Sequence, residues 1–360
     1  MKLVIFGLTI TSSWGNGHAT LWRGLCRALG RRGHQVVFYE RDVPYYAAHR
    51  DPVELAGTTI RLYSSWDEIR DRARTDAMDA DLAMVTSYCP DGLAASELVL
   101  SECRRLRVFY DMDTPITLER FMRGESVPYI GARALRDFDL VLSFTGGGAL
   151  DALRERLGAR RVAPFYGSVD PETHANVSSV DDYRCDMSYL GTYAADRQAA
   201  LDAFFLDPSD QLSDQKFVLG GALYPAAFPW RKNIFFVGHV SPPKHPAFYC
   251  SSRLTLNITR GAMARMGFCP SGRLFEAAAC GVPVLSDWWE GLDQFFLPDS
   301  EILLARTSND VVRALNMPAE DLAAIGRAAR ERALACHTSD SRAGELEKIM
   351  DSARSAAAAI

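Results

Sequence analysis

The sequence predicts an α/β protein built from two doubly wound, parallel-sheet domains. Three observations predict it. Short apolar runs alternate with helical patterns along most of the chain, and a βα repeat of this kind gives a parallel sheet with helices on its faces. The alternation stops once, at the polar, turn-rich stretch YGSVDPETHANVSS (166–179), and then restarts. The length of 360 residues suits two domains of roughly 150–180 residues better than one.

In the first half the strand candidates are 2–8, 35–40, 59–62, 82–86, 108–111, 140–144 and 161–165. Helices are expected between them, notably over 18–31, 93–106 and 149–157, where apolar residues recur at helical spacing. In the second half the strand candidates are 187–190, 216–219, 234–237, 254–258, 282–286 and 302–305. The tail after Pro318 is Ala-rich, charged and helical in pattern. The expected division is therefore an N-terminal domain over 1–168, a C-terminal domain over 169–335, and a terminal helix over 336–360 able to pack back on the N-terminal domain. Ligands of such folds bind at the carboxyl ends of the strands, which places the expected site in a cleft between the two sheets.

Composition narrows the function. A net charge of −5 argues against broad nucleic-acid or anionic-membrane binding. Arginine far outnumbers lysine, which suits phosphate or carboxylate recognition. The eight cysteines show no CxxC pair and no metal-ligand spacing, so they read as reduced residues of a cytoplasmic protein, and no metal is expected. No segment is apolar for the ~18 residues a membrane helix needs, so no transmembrane segment is expected.

Five segments carry candidate chemistry. The first, PSGRLFEAAACGVPVLSDWWEGLDQFF (270–296), reads as helix, Gly-Val-Pro turn, buried strand and acidic, aromatic loop. Ser271 is the expected N-cap, and Leu274, Phe275, Ala278 and Ala279 form the apolar stripe. A helix start at a sheet rim offers unpaired N–H groups and a positive dipole end to a phosphate. Glu276, just over one turn in, is placed to accept hydrogen bonds from a sugar hydroxyl of a nucleotide held there.

The second, TSSWGNGH (11–18), is a Gly-rich turn between a strand and a helix. It brings backbone close to a ligand and puts His18 at the helix start, where it can act as a general base. It is not GxGxxG, and only Glu40 or Asp42 could supply a dinucleotide-binding acid, so a NAD site is poorly supported. In the third, VFYDMDTP (108–115), Asp111 and Asp113 fall on one side of an extended segment. One can orient His18, or the pair can hold a divalent cation with a diphosphate; alternatively Asp113 caps a turn while Asp111 pairs with an arginine. The fourth, LGTYAADRQ (190–198), places Arg197 near a helix start, where it can neutralise a diphosphate. The fifth runs from VGHVSPPKHPAFY (237–249) to LNITRGAMAR (256–265). Its prolines, aromatics and histidines, His239 included, make a rigid slot for a base, and Asn257 and Arg260 follow a strand end.

Taken together, SWGNGHATLWRGL, FYDMDTP, SFTGGGALDAL, YGSVDPETH, LGTYAADRQ, LNITR and PSGRLFEAAACGVPVLSDWWEG resemble successive blocks of the GT-B glycosyltransferases, and specifically of their CgeB-like, spore-maturation-protein type branch. The resemblance covers nearly the whole chain. It implies two facing Rossmann-like domains, with acceptor bound by the first and a nucleotide-sugar donor by the second. It further implies that Glu276 holds the ribose hydroxyls, that the amides of Ser271, Gly272 and Arg273 meet the diphosphate, and that the 287–291 loop, with Asp287, Trp288 and Gly291, faces the donor sugar. Gly17 and His18 match the inverting enzymes of this fold, whose base is a histidine backed by an aspartate.

The chain also departs from the resemblance. Retaining relatives carry a second acidic residue eight positions before the helix glutamate, and inverting plant-type enzymes carry a histidine there; this chain has Phe268. Phosphate neutralisation then falls to Arg197, Arg260, Arg265 or Arg273. The implied activity is transfer of a sugar from a nucleotide-diphosphate donor to a hydroxyl acceptor, without metal or cofactor, leaving UDP, dTDP or GDP and the stereochemical outcome open. A nucleotide-sugar 2-epimerase of the same fold, and a non-catalytic carbohydrate-binding or assembly protein, remain as alternatives.

Overall fold

The computed structural model describes residues 1–357. The last three residues of the expected terminal helix lie outside the described residues. The chain divides into two compact units: Met1–Gly167 together with Ser339–Ile360, and Ser168–Thr338.

The first unit is a seven-stranded parallel sheet with the order β3-β2-β1-β4-β5-β6-β7. Its strands are β1 (Lys2–Gly7), β2 (Gln35–Arg41), β3 (Thr58–Tyr63), β4 (Leu82–Thr86), β5 (Leu106–Asp111), β6 (Leu140–Ser143) and β7 (Val162–Pro164). Every pairing is parallel, and the central strands are buried on both faces, as helix-covered parallel strands must be. The helix His18–Arg31 buries Trp22, Leu25, Cys26 and Leu29. Trp22 packs edge-on against both Phe38 and Tyr110, so this helix lies across β2 and β5. The helix Ser339–Ala357 packs on the same helix, and Arg32 pairs with Glu347.

The second unit is a six-stranded parallel sheet with the order β10-β9-β8-β11-β12-β13. It comprises β8 (Cys185–Leu190), β9 (Phe217–Gly220), β10 (Ile234–Phe236), β11 (Ser252–Asn257), β12 (Val284–Asp287) and β13 (Leu303–Ala305). Met187, Phe205, Phe217, Leu254, Leu256 and Leu285 form its core. Between β7 and the 3₁₀ turn Asp181–Tyr183 there is no strand or helix, only a bridge pairing Val169 with Thr338. Among the described residues no helix is long and apolar enough to cross a membrane.

In both sheets the strand order reverses direction once, between β1 and β4 in the first and between β8 and β11 in the second. At such a switch point the connections leave on opposite faces, which opens a crevice at the carboxyl ends of the two strands. Each candidate segment lies at or beside one of these two crevices.

Candidate functional site: two rim clusters

In the first unit the loop after β1 is fixed from two sides. The Glu40 carboxylate, at the end of β2, accepts hydrogen bonds from Thr9 Oγ1 (2.8 Å), Ile10 N (2.7 Å), Thr11 N (3.0 Å) and Thr11 Oγ1. Glu40 is thus consumed in holding the loop and has no oxygen to spare for a ribose, and the other candidate acid, Asp42, pairs with Arg50, which weighs against the dinucleotide reading. On the other side Arg23 donates to Ile10 O and pairs with Asp51, which also accepts from Ser13 N. Gly15, with φ of +61°, turns the chain, and Gly17 occupies the N-cap position before His18. Trp14 stacks on His49 with ring centroids 4.1 Å apart.

His18 thereby sits at the helix start with its amide bonded to Asn16 Oδ1 at 2.9 Å. Its Nδ1 is buried with no hydrogen-bond partner. Burial lowers the imidazole pKa, and the Asp113 carboxylate pulls it partly back. A neutral imidazole at neutral pH is the form a general base requires. No hydrogen bond joins His18 and Asp113 among the described residues; Asp113 acts on the ring through its charge.

The two aspartates do not share a face in one extended segment. Asp111 ends β5 and is fully buried, whereas Asp113 is the N-cap residue of the helix Thr114–Met122, with its backbone already turned. Asp111 Oδ1 accepts from Asp113 N and Thr117 Oγ1, both at 3.1 Å, and Oδ2 has no partner. Burial pushes the Asp111 carboxyl up to about 7. Asp111 is therefore a buttress for the turn that carries Asp113. Tyr88 also belongs to this cluster: it follows β4 with φ of +63°, its ring centroid is 6.2 Å from that of His18, and burial together with Asp113 raises its phenol. A tyrosine held in the left-handed region at a strand end is the kind of strain that functional rims retain. Sequence reasoning passed over Tyr88, because nothing in TSYCP signals a left-handed tyrosine.

In the second unit the cluster assembles at the carboxyl ends of β8, β11 and β12. The helix Gly272–Ala279 starts after Ser271, but Ser271 does not cap it with its side chain. Its hydroxyl donates instead to Asn257 Oδ1 at 3.0 Å, an oxygen that also accepts from Arg273 Nη1 at 2.9 Å. Asn257 Nδ2 donates to Ser286 Oγ at 2.9 Å, so the amide is locked in one orientation by β12. The Leu274 amide bonds back to Ser271 O, and the amides of Gly272 and Arg273 at the helix start stay available.

Two guanidiniums converge here. Arg273 lies over the Tyr189 ring at 5.2 Å, and Arg197 Nη1 donates to Tyr189 OH at 3.3 Å. Neither makes an ion pair among the described residues, and Arg197 Nε is buried without a partner. Gly191 makes this approach possible: a Cβ there would stand 2.7 Å from Tyr189 OH and 2.9 Å from Arg273 Nη2. Arg260 instead pairs with Asp196 at 3.4 Å, and Arg265 is exposed.

Asp287 turns inward: its Oδ1 accepts from Thr259 N and Thr259 Oγ1, both at 3.0 Å. Burial raises its pKa. Of the following residues, Trp288 is exposed and Trp289 buried. Gly291, with φ of +84°, lies under Phe268, so a Cβ there would come within 2.3 Å of the ring. Phe268 itself has φ of +48° and donates its amide to Glu290 O. The position that carries an acid in retaining relatives is thus occupied by a left-handed phenylalanine stacked over a glycine.

Glu276 faces two histidines. His174 lies in the segment before β8, turned by a bond from its own amide to Asp170 O, and His245 opens the helix His245–Cys250. Their nitrogens, His174 Nε2 and His245 Nδ1, are 3.2 Å apart and stand 3.9 and 3.7 Å from Glu276 Oε2. Burial lowers both imidazoles, His245 to about 4, so both are neutral near pH 7. Tyr249 closes the same wall, and burial and the Glu276 charge raise its phenol well above the ordinary value. The sequence singled out His239 from this loop; His239 follows Gly238 and is half-buried, whereas the imidazoles beside Glu276 are those of His174 and His245. The spacing of HPAFYC, which puts His245 and Tyr249 one turn apart on a helix, was the available signal for the second of these.

Comparison with known proteins agrees with this architecture. The sucrose-phosphate synthase tll1590 of Thermosynechococcus elongatus superposes with a TM-score of 0.72 over 99% of this chain and 100% of its own, at 14% identity. Anabaena Alr3699/HepE in complex with UDP-glucose superposes with a TM-score of 0.67, over 98% and 100%, at 14% identity. The fold is GT-B. An α-glucosyltransferase in complex with UDP and a 13-mer DNA shares the GT-B fold as well, with a TM-score of 0.69 over 98% of this chain and 99% of its own, at 13% identity. Residues 197–348, which include most of the second rim cluster, match the Glyco_trans_1_2 family, described as glycosyl transferase-like. No curated protein matches the chain.

Proposed function

We propose that the protein is a glycosyltransferase that moves a sugar from a nucleotide-diphosphate donor to a hydroxyl acceptor. The observation that carries this reading is the pairing, at one switch point, of two guanidiniums free of ion pairs with an uncapped helix start and a carboxylate one turn further on. A diphosphate needs the first two, and a ribose diol needs the third. The match of 197–348 to a glycosyl transferase-like family and the fold support it.

In this scheme the second unit binds the donor. Arg197, Arg273 and the amides of Ser271, Gly272 and Arg273 neutralise the diphosphate, and their fixed charges stabilise the leaving group as the glycosidic bond breaks. Glu276 accepts from the ribose hydroxyls. The first unit binds the acceptor, and His18 takes its hydroxyl proton while Asp113 stabilises the imidazolium that forms. Asp111 positions Asp113. His239, Asn257, Arg260, Asp287, Trp288 and Gly291 shape the donor side, Asn257 by orienting Arg273 and Asp287 by holding the Thr259 turn.

UDP is the proposed nucleotide, since HepE and the α-glucosyltransferase carry UDP or UDP-glucose in their complexes. The CgeB-like branch is the proposed subfamily, on the sequence blocks given above, and a hexose is the proposed sugar class. The proposed location is the cytoplasm, where such nucleotide sugars occur. The test is release of UDP from UDP-sugars with a panel of hydroxyl acceptors. Acceptor-dependent release is expected; consumption of the donor at an equal rate without acceptor would replace transfer by hydrolysis or epimerisation.

A further inference from the structure

We propose that His174, His245 and Glu276 form a binding site for a divalent transition-metal ion, with zinc the best match. The three facing atoms, His174 Nε2, His245 Nδ1 and Glu276 Oε2, form a triangle with sides of 3.2, 3.7 and 3.9 Å. The point equidistant from its corners lies about 2.1 Å from each, and zinc binds imidazole nitrogen and carboxylate oxygen at roughly 2.0–2.2 Å. The two imidazoles hydrogen-bond to each other at 3.2 Å, but neither nitrogen comes within hydrogen-bond distance of the carboxylate, so hydrogen bonding does not account for Glu276 facing them.

The donor set suits such an ion. Two neutral imidazoles and one carboxylate are the ligands of an open zinc centre, leaving the remaining position to water or an oxygen ligand. His245 Nε2 lies 3.1 Å from Val240 O and donates its proton there, which leaves Nδ1 with a lone pair that faces His174 Nε2 and is free to be taken by an ion. A ligating histidine is ordinarily held in this way. His174 is fully buried and its Nδ1 has no partner. On metal binding its proton moves from Nε2 to Nδ1, in the field of the Asp170 carboxylate, and the ring stays neutral. The side chains of His245 and Glu276 are 14% and 12% exposed, so an ion can enter from that side.

The site shares Glu276 with the proposed donor site, Oε2 facing the histidines, but the ion binds with no nucleotide present, so this proposal and the transfer reading fail separately. The experiment titrates the full chain, stripped with chelator, with Zn²⁺ by calorimetry and with Co²⁺ by visible absorption, no nucleotide being added. One equivalent should bind, with the absorption of a four-coordinate nitrogen- and oxygen-ligated cobalt centre. His174→Asn and His245→Asn should each weaken binding by at least about 100-fold, since loss of a ligand costs more than the roughly 10–100-fold typical of losing an outer-shell partner, while Cys250→Ser should bind as the parent does. Circular dichroism checks folding, and partly exposed His245 keeps the test valid if His174→Asn does not fold. Failure to bind one equivalent, affinity unchanged in the histidine variants, or a thiolate-to-cobalt charge-transfer band would each overturn the proposal.

Discussion

Asn257 Oδ1 accepts a hydrogen bond from Arg273 Nη1 at 2.9 Å, and this neutral acceptor is what aims the guanidinium without discharging it. A carboxylate in the same place would form an ion pair and compete with a phosphate. Asn257→Asp should therefore keep the fold but weaken UDP binding at least as much as Asn257→Ala does. Arg273→Ala should weaken it about 10–100-fold, the worth of a charge-assisted hydrogen bond. Calorimetric titration with UDP measures all three; Asn257→Asp binding as tightly as the parent would contradict the aiming role.

His18 should be needed for transfer and not for donor binding. His18→Ala is expected to lower kcat by at least about 100-fold, the usual worth of general-base catalysis, and to leave the Kd for UDP unchanged. Because burial lowers the His18 pKa, the acid limb of kcat/KM should fall below pH 6.5. Asp113 raises that pKa, so Asp113→Asn should shift the limb to still lower pH as well as slow the reaction. A limb unmoved by this change would dissociate the two residues.

Asp111 makes stability depend on pH. Its folded pKa of about 7 lies above its unfolded value, so the folded state holds a proton that the unfolded state has released. Its contribution is fully present below about pH 4 and is lost as pH rises toward 7. Asp111→Asn cannot ionise, so its thermal midpoint should gain on the parent over that window. Parallel pH profiles for the two proteins would rule out a buried, proton-holding Asp111.

Gly291 should tolerate no side chain. Alanine there meets the Phe268 ring and must also adopt a φ of +84°, so Gly291→Ala should destabilise the protein by about 1–3 kcal/mol. Adding Phe268→Ala relieves the clash, and the double variant should cost less than the sum of the two single ones. Strict additivity in denaturant titrations would show that the two residues do not share this contact.

The two-sheet architecture was legible because parallel strands write themselves as short apolar runs: 2–8, 82–86 and 282–286 fall on or within two residues of β1, β4 and β12. The Gly272–Ala279 helix was equally legible from its apolar stripe and the glycine after it. What the sequence could not show was which polar group each polar residue meets. Ser271 reads as a cap yet donates to Asn257, 14 positions earlier in the chain, because β11 ends beside it. Asp111 and Asp113 read as a pair on one face, but the chain turns between them at the N-cap. His174 lies in a stretch with no periodicity at all, and only the fold brings it beside Glu276, 102 positions later in the chain.

The central claim is that the second unit holds a nucleotide diphosphate, with Glu276 on its ribose. The most direct test is the affinity of the full chain for UDP, compared with that of Glu276→Gln and with the affinity of the parent for 2′,3′-dideoxy-UDP. Saturable 1:1 binding of UDP to the parent is expected, weakened about 10–100-fold by either change, with no further loss when the two are combined. Absence of UDP binding, or equal affinities across the set, would contradict the claim.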